Sequence, residues 1–157
     1  MKMKQLLLLV LFGCLFLWGC PDPNESGIPD GKDFKDDNVK IVADNLVTDI
    51  YFYSNLTLDE FFYYFDKDND CDADYLVKCH PNDFKVYKES SVSPGLFDIL
   101  KYSGTPTLIG THYHLEFPLS ALDLSRSFEW TTYYWFFAMD GRDRMPNSKK
   151  KLLAYVR

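Results

Sequence analysis

Apolar and polar side chains alternate with a period of two along most of the chain beyond residue 38. This alternation is typical of β-strands, whose successive side chains point to opposite faces of a sheet. The densest run covers residues 131–140, where β-branched and aromatic side chains occupy both the odd and the even positions. Such a run predicts a strand in the middle of a sheet, with both of its faces covered.

Several shorter segments carry the same signal less completely. The clearest of these predicted strands cover residues 47–53, 75–79 and 84–88. The consecutive aromatic residues 61–65 fit either a helix or a strand, and the strand character of the surrounding chain favours a strand. Residues 93–104 could form one helical turn or a crossing between two sheets.

The segment 111–122 separates its two faces sharply. Its inward positions are Thr111, Tyr113, Leu115 and Phe117, and its outward positions are His112, His114 and Glu116. The pattern Leu115-x-Phe117-x-Leu119-x-x-Leu122, followed by Tyr134-x-Phe136-x-Ala138, resembles strands E and F of immunoglobulin-like and fibronectin-like sandwiches, in which a tyrosine closes a corner. The resemblance implies an all-β fold, an immunoglobulin-like antiparallel β-sandwich formed by residues 38–157.

The first 19 residues have the features of a bacterial leader. Lys2 and Lys4 precede an apolar run that has the length of a signal-peptide core and is short for a membrane-spanning helix. The run ends in Leu17-Trp18-Gly19-Cys20, which resembles the lipobox of bacterial lipoproteins. The resemblance implies that Cys20 is acylated and anchors the protein to a membrane. A plain secretory signal and an uncleaved membrane anchor are the alternatives.

Residues 20–37 predict a flexible tether, because they are rich in proline, glycine and acidic residues and have few apolar side chains to bury. Asp22 and Glu25 follow Cys20 closely and resemble the export tags of some surface lipoproteins. We therefore expect a protein of the bacterial cell envelope, held at the outer membrane on its periplasmic or its surface face. The formal net charge of −6 argues against a nucleic-acid partner.

Two cysteines remain after the leader and the lipidated residue are set aside. These are Cys71 and Cys79, and the oxidising environment of the envelope favours a disulfide between them. Buried free thiols are the alternative.

The acidic segment 66–74 carries the most specific chemical signal. Carboxylates at alternate positions of a loop can converge on one hard cation, and Ca²⁺ takes six to eight oxygen ligands. The spacing of Asp66, Asp68, Asp70 and Asp74 resembles the calcium loops of integrin-type and related bacterial repeats. The resemblance implies a Ca²⁺ site. A solvated acidic turn between strands is the alternative.

Two function classes follow from these residues. No catalytic constellation stands out in the sequence, which favours a non-enzymatic binding or adhesion module that uses its spare aromatic side chains to capture a glycan or a partner protein. The alternative is a metal-dependent, cupin-like hydrolase that uses His112, His114 and Glu116, because two imidazoles and a carboxylate on one strand face can bind a transition metal.

Overall fold

The computed structural model describes residues 34–53, 55, 60–70, 72–138, 144–145 and 151–156 of the 157-residue chain. The predicted leader (1–19), Cys20, the tether as far as residue 33, and Cys71 lie outside these ranges. Within the described ranges the chain forms eleven strands and a short 3-10 helix, Leu119–Leu122. The strands are β1 (Phe34–Val42), β2 (Asn45–Phe52), β3 (Phe61–Asp66), β4 (Tyr75–Cys79), β5 (Phe84–Ser90), β6 (Ser93–Gly104), β7 (Thr107–Ile109), β8 (His112–Pro118), β9 (Trp130–Ala138), β10 (Arg144–Met145) and β11 (Lys151–Tyr155).

These strands form two antiparallel sheets. The first sheet has the order β1-β2-β8-β7, and the second has the order β10-β9-β3-β4-β5-β6, with β11 also paired to β9. In the nomenclature of immunoglobulin sandwiches, the first sheet follows the order A-B-E-D. The strands β11, β9, β3, β4 and β5 follow the order G-F-C-C′-C″, and β6 is added at the edge. The predicted all-β fold, an antiparallel β-sandwich, is confirmed, and its strand order is like that of immunoglobulin sandwiches.

Aromatic side chains fill the space between the two sheets. The largest fully buried side chains include Tyr63, Tyr75, Tyr113, Phe52, Phe61, Phe65, Phe84, Phe117 and Phe136. The rings pack closely, and those of Tyr63 and Phe136 stack with their centroids 4.3 Å apart. The predicted core residues Leu115, Phe117, Tyr134 and Phe136 are all buried here. No helix among the described residues has the length and apolar character that crossing a membrane would require.

Strand β9 lies inside the second sheet, paired with β3 on one side and with β10 and β11 on the other. Its inward side chains are buried, but Tyr133, Trp135 and Phe137 on its outer face are only half-buried. The prediction that both faces are covered is therefore wrong. Part of the outer face is shielded by neighbouring rings, since Trp135 stacks on Tyr64 of β3 with the ring centroids 5.2 Å apart.

The two segments with ambiguous patterns are both strands. Residues 61–65 lie in β3, as the surrounding chain suggests, and residues 93–104 form the twelve-residue strand β6. The expectation of a helical turn or a crossing between sheets for residues 93–104 is wrong. The reason is that β6 is an edge strand with most side chains exposed. Its apolar residues are therefore not confined to one buried face, and the sequence shows no regular alternation.

The first strand begins at Phe34, so residues 34–37 are part of β1 and not of the predicted tether over residues 20–37. Phe34 is 6% exposed and packs against Phe52, with the ring centroids 5.3 Å apart. The buried carboxylate of Asp37 pairs with Lys151 of β11 and accepts a hydrogen bond of 2.9 Å from the Tyr134 hydroxyl. These contacts join the first strand of one sheet to the other sheet.

Asp123 ends the 3-10 helix and connects it to the second sheet. Its backbone adopts a left-handed conformation with φ of 52°, which aspartate and asparagine tolerate better than most residues. Its carboxylate pairs with Lys101 at 2.7 Å and Lys88 at 2.8 Å, and accepts a 2.7 Å hydrogen bond from Tyr75. Hydrogen bonds from Lys101, Lys88 and Tyr75 lower the pKa of Asp123 far below its usual value.

Candidate functional site

A cleft of about 410 Å³ opens on the outer face of the second sheet. The side chains of Tyr64 and Trp135 line it from β3 and β9, and Phe97 lines it from β6. The ring of Tyr64 lies nearly parallel to that of Trp135, at 14°, and meets Phe97 edge-on at a centroid distance of 6.3 Å. Flat apolar surfaces of this kind are available to a ligand because the outer face is only partly covered.

The walls of the cleft carry two carboxylates, Asp72 and Glu89. Glu89 lies on β5 and accepts a hydrogen bond from the backbone N–H of Gly95, which fixes the start of β6 against β5. The backbone N–H of Glu89 donates to the carbonyl of Asp74 at 2.9 Å. The wall formed by the β5–β6 connection is therefore bonded directly to the acidic loop that precedes β4.

The acidic loop, residues 67–74, closes on itself through its own carboxylates. The Asp66 carboxylate accepts hydrogen bonds from the backbone N–H groups of Asp68 at 3.1 Å and Asn69 at 2.6 Å. The carboxylate of Asp74 accepts one from Lys67 at 2.7 Å. Such contacts are typical of turns in which aspartate side chains bind nearby backbone groups.

The structure brings three of the four predicted calcium ligands together. One carboxylate oxygen each from Asp66, Asp68 and Asp74 lies within 4.8 Å of the others, whereas Asp70 is not part of this group. Asp70 instead accepts a hydrogen bond of 2.9 Å from the backbone N–H of Asp72. Desolvation and the nearby negative charge of Asp70 raise the pKa of Asp68 above its usual value. Three converging carboxylates fit Ca²⁺, which would take its other ligands from the backbone and water.

A second group of metal-ligand side chains lies on the outer face of the first sheet. Asp49 of β2 accepts hydrogen bonds through the same oxygen, Oδ1, from His112 Nε2 at 2.9 Å and from His114 Nδ1 at 2.7 Å. Partial burial would raise the pKa of Asp49, but the bonds from His114 and His112 outweigh it and lower that pKa below its usual value. We call these three residues the Asp49 triad.

The carboxylate of this group differs from the predicted one. Glu116 accepts a hydrogen bond of 2.5 Å from the Asn45 side chain and is not part of the cluster. The carboxylate of the cluster comes from Asp49, because the pairing of β2 with β8 places Asp49 directly opposite His114. The predicted set of His112, His114 and Glu116 is thus corrected to the Asp49 triad, and only the strand register could have identified Asp49.

Cys79 is a free and completely buried thiol at the end of β4. The structure therefore shows no disulfide at Cys79, in contrast to the predicted Cys71–Cys79 bridge, and Cys71 itself lies outside the described residues. Burial raises the pKa of the Cys79 thiol well above its usual value, which keeps it in the unreactive protonated form.

The candidate sites occupy opposite outer faces of the sandwich. The aromatic cleft and the acidic loop adjoin each other on the second sheet, and the Asp49 triad lies on the first sheet. No protein-family model, curated protein or solved structure matches this chain.

Proposed function

We propose that the protein is a lipid-anchored, non-enzymatic binding module of the bacterial cell envelope that holds a carbohydrate in the aromatic cleft. The observation that carries the proposal is the convergence of Tyr64, Phe97 and Trp135 with the carboxylates of Asp72 and Glu89 on one cleft. The lipobox-like segment ending at Cys20 supports the membrane anchor.

The chemistry of the lining suits a sugar ring better than a purely apolar ligand. A sugar has faces of C–H groups, which pack against the flat rings of Tyr64 and Trp135. It also has hydroxyl groups, which donate hydrogen bonds to carboxylates such as that of Asp72. Stacked rings beside carboxylates therefore provide both kinds of contact within one site.

The size of the cleft limits the ligand. Ligand sites in proteins commonly have volumes of about 300–1,000 Å³, and a cleft of about 410 Å³ lies near the lower end of that range. We expect room for roughly one or two sugar rings, with the rest of a longer glycan extending into solvent.

We assign the cleft to binding and not to hydrolysis because Glu89 has a structural role. Its carboxylate holds the backbone N–H of Gly95 and thereby shapes the cleft wall. A catalytic carboxylate would have to reach the glycosidic bond, and hydrolysis uses a pair of such groups. Asp72 is the other carboxylate of the described lining, so with Glu89 bound to the Gly95 backbone the lining does not provide the pair that hydrolysis uses.

The test is a glycan microarray probed with the full chain in detergent, followed by calorimetric titration of the best ligand. The variant Trp135→Ala should lose binding, because it removes half of the stacked pair in the cleft. The matched control is Phe137→Ala, which truncates an aromatic residue on the same strand and the same outer face but outside the cleft. Retention of sugar binding by Trp135→Ala, or the absence of any bound glycan, would contradict the proposal.

A further inference from the structure

The Asp49 triad is separate from the cleft and has a different ligand chemistry. It combines two imidazole nitrogens with one carboxylate oxygen, and their ligand atoms all lie within 4.8 Å of one another. We propose that the Asp49 triad binds one divalent transition-metal ion, with Zn²⁺ as the cation that its donor set suits best.

The backbone places the three ligands without any loop. His112 and His114 are two residues apart on β8, so both side chains project from the same face of the sheet. Asp49 projects from that face on β2, directly opposite His114. Because two hydrogen-bonded strands hold all three ligands, little ordering entropy remains to oppose metal binding.

The distances are close to those of a metal site. Tetrahedral Zn²⁺ has bonds of about 2.0–2.1 Å to nitrogen and oxygen, which places its ligand atoms about 3.3 Å apart. In the structure, Asp49 Oδ1 lies 2.9 Å from His112 Nε2 and 2.7 Å from His114 Nδ1. Small side-chain rotations would open these contacts enough to exchange the hydrogen bonds for bonds to a cation.

The donor set selects the class of metal. Imidazole suits Zn²⁺ and other first-row transition ions, whereas Ca²⁺ and Mg²⁺ prefer a shell made of oxygens. Three protein ligands leave a fourth position of the Zn²⁺ shell for water or an outside ligand. That position would face solvent, since the His112 and His114 side chains are 34% and 33% exposed.

Tyr51 orients one of the ligands. It lies directly opposite His112 on β2, and its ring stacks on that imidazole with a centroid distance of 4.8 Å and an angle of 11°. Asp49 is the least exposed member of the triad, with 13% of its side chain accessible. Groups around the ligands that fix their orientation in this way strengthen metal binding in known sites.

The experiment is a calorimetric titration of the full chain in detergent with zinc chloride, in a buffer that contains excess calcium chloride to occupy the acidic loop. We expect one Zn²⁺ per chain, and a loss of affinity of at least about tenfold in His114→Ala. The matched control is His80→Ala, since His80 is the one histidine of the chain outside the triad and lies on the β4–β5 turn beside Glu60.

A second measurement needs no variant. In the NMR spectrum of the unmutated protein, the imidazole signals of His112 and His114 should shift on addition of Zn²⁺, while those of His80 stay in place. Equal Zn²⁺ affinity in the parent chain and His114→Ala would overturn the proposal. It would also be overturned by imidazole signals of His112 and His114 that do not respond to the metal.

Discussion

Replacement of Phe34 by alanine tests whether the start of β1 belongs to the folded domain. Phe34 is 6% exposed, and its ring centroid lies 5.3 Å from that of Phe52, 5.7 Å from Phe61 and 5.8 Å from Phe136. Truncation of a buried phenylalanine to alanine costs about 3–5 kcal/mol through lost apolar burial and the remaining cavity. Because Phe34 lies at the first position of a terminal strand, local fraying can relieve part of this cost, and we expect about 3 kcal/mol.

This loss is large enough to measure by urea denaturation of the full chain in detergent. With a slope of about 1–2 kcal/mol per molar urea, a destabilisation of about 3 kcal/mol lowers the unfolding midpoint by roughly 1.5–3 M. The matched control is Lys35→Ala on the same strand, where the side chain is exposed and the change should stay within about 0.5 kcal/mol. A midpoint for Phe34→Ala equal to that of Lys35→Ala would show that residues 34–37 act as tether.

Three further predictions concern charge, metal and lipid. Lys101, Lys88 and Tyr75 depress the pKa of Asp123, so this carboxylate stabilises the fold above about pH 4 and the contribution disappears as the pH falls further. Since 38% of this side chain is exposed, unfolding curves should show Asp123→Asn to be less stable by about 1 kcal/mol at pH 7, with the difference shrinking steadily as the pH falls below about 4. Calcium at a hundredfold excess over its dissociation constant should stabilise the parent chain by about 2.7 kcal/mol in thermal melts, and magnesium should stabilise it less. The variant Asp68→Asn should not respond to calcium. Identical melting curves of the parent chain with and without calcium would exclude the site. Cys20→Ser should move the protein from the membrane fraction to the soluble one, and unchanged partitioning would identify the apolar leader as the anchor.

The sequence predicted strands well where one face of a strand is buried. In β8 the inward residues Tyr113, Leu115 and Phe117 are buried and the outward ones are not, which produces the period of two that a sequence displays. Strand β6 has no such buried face and therefore no such pattern. Its place in the sheet depends on backbone pairing with β5, and this pairing does not require a particular pattern of side chains.

The candidate sites were harder to predict, because they depend on register and on what covers a face. Asp49 lies far from His114 in sequence and joins it only through the pairing of β2 with β8. The outward aromatic residues of β9 carry the same sequence signal as residues covered by a second layer. Trp135 belongs to the aromatic run for which a covered face was wrongly predicted, and in the structure it lines the cleft.

The position of the acidic loop links calcium to the proposed sugar site. Asp72 and Ala73 belong both to this loop and to the cleft wall, and the Asp74 carbonyl holds Glu89 on the opposite wall. A cation bound by Asp66, Asp68 and Asp74 would restrain that wall in one conformation, which lowers the ordering cost of binding a sugar. Linkage then requires that a bound sugar raise the calcium affinity by the same factor by which calcium raises the sugar affinity. The Asp49 triad lies on the other sheet and shares no residue with the loop or the cleft, so occupation of the triad by Zn²⁺ should leave this coupling unchanged.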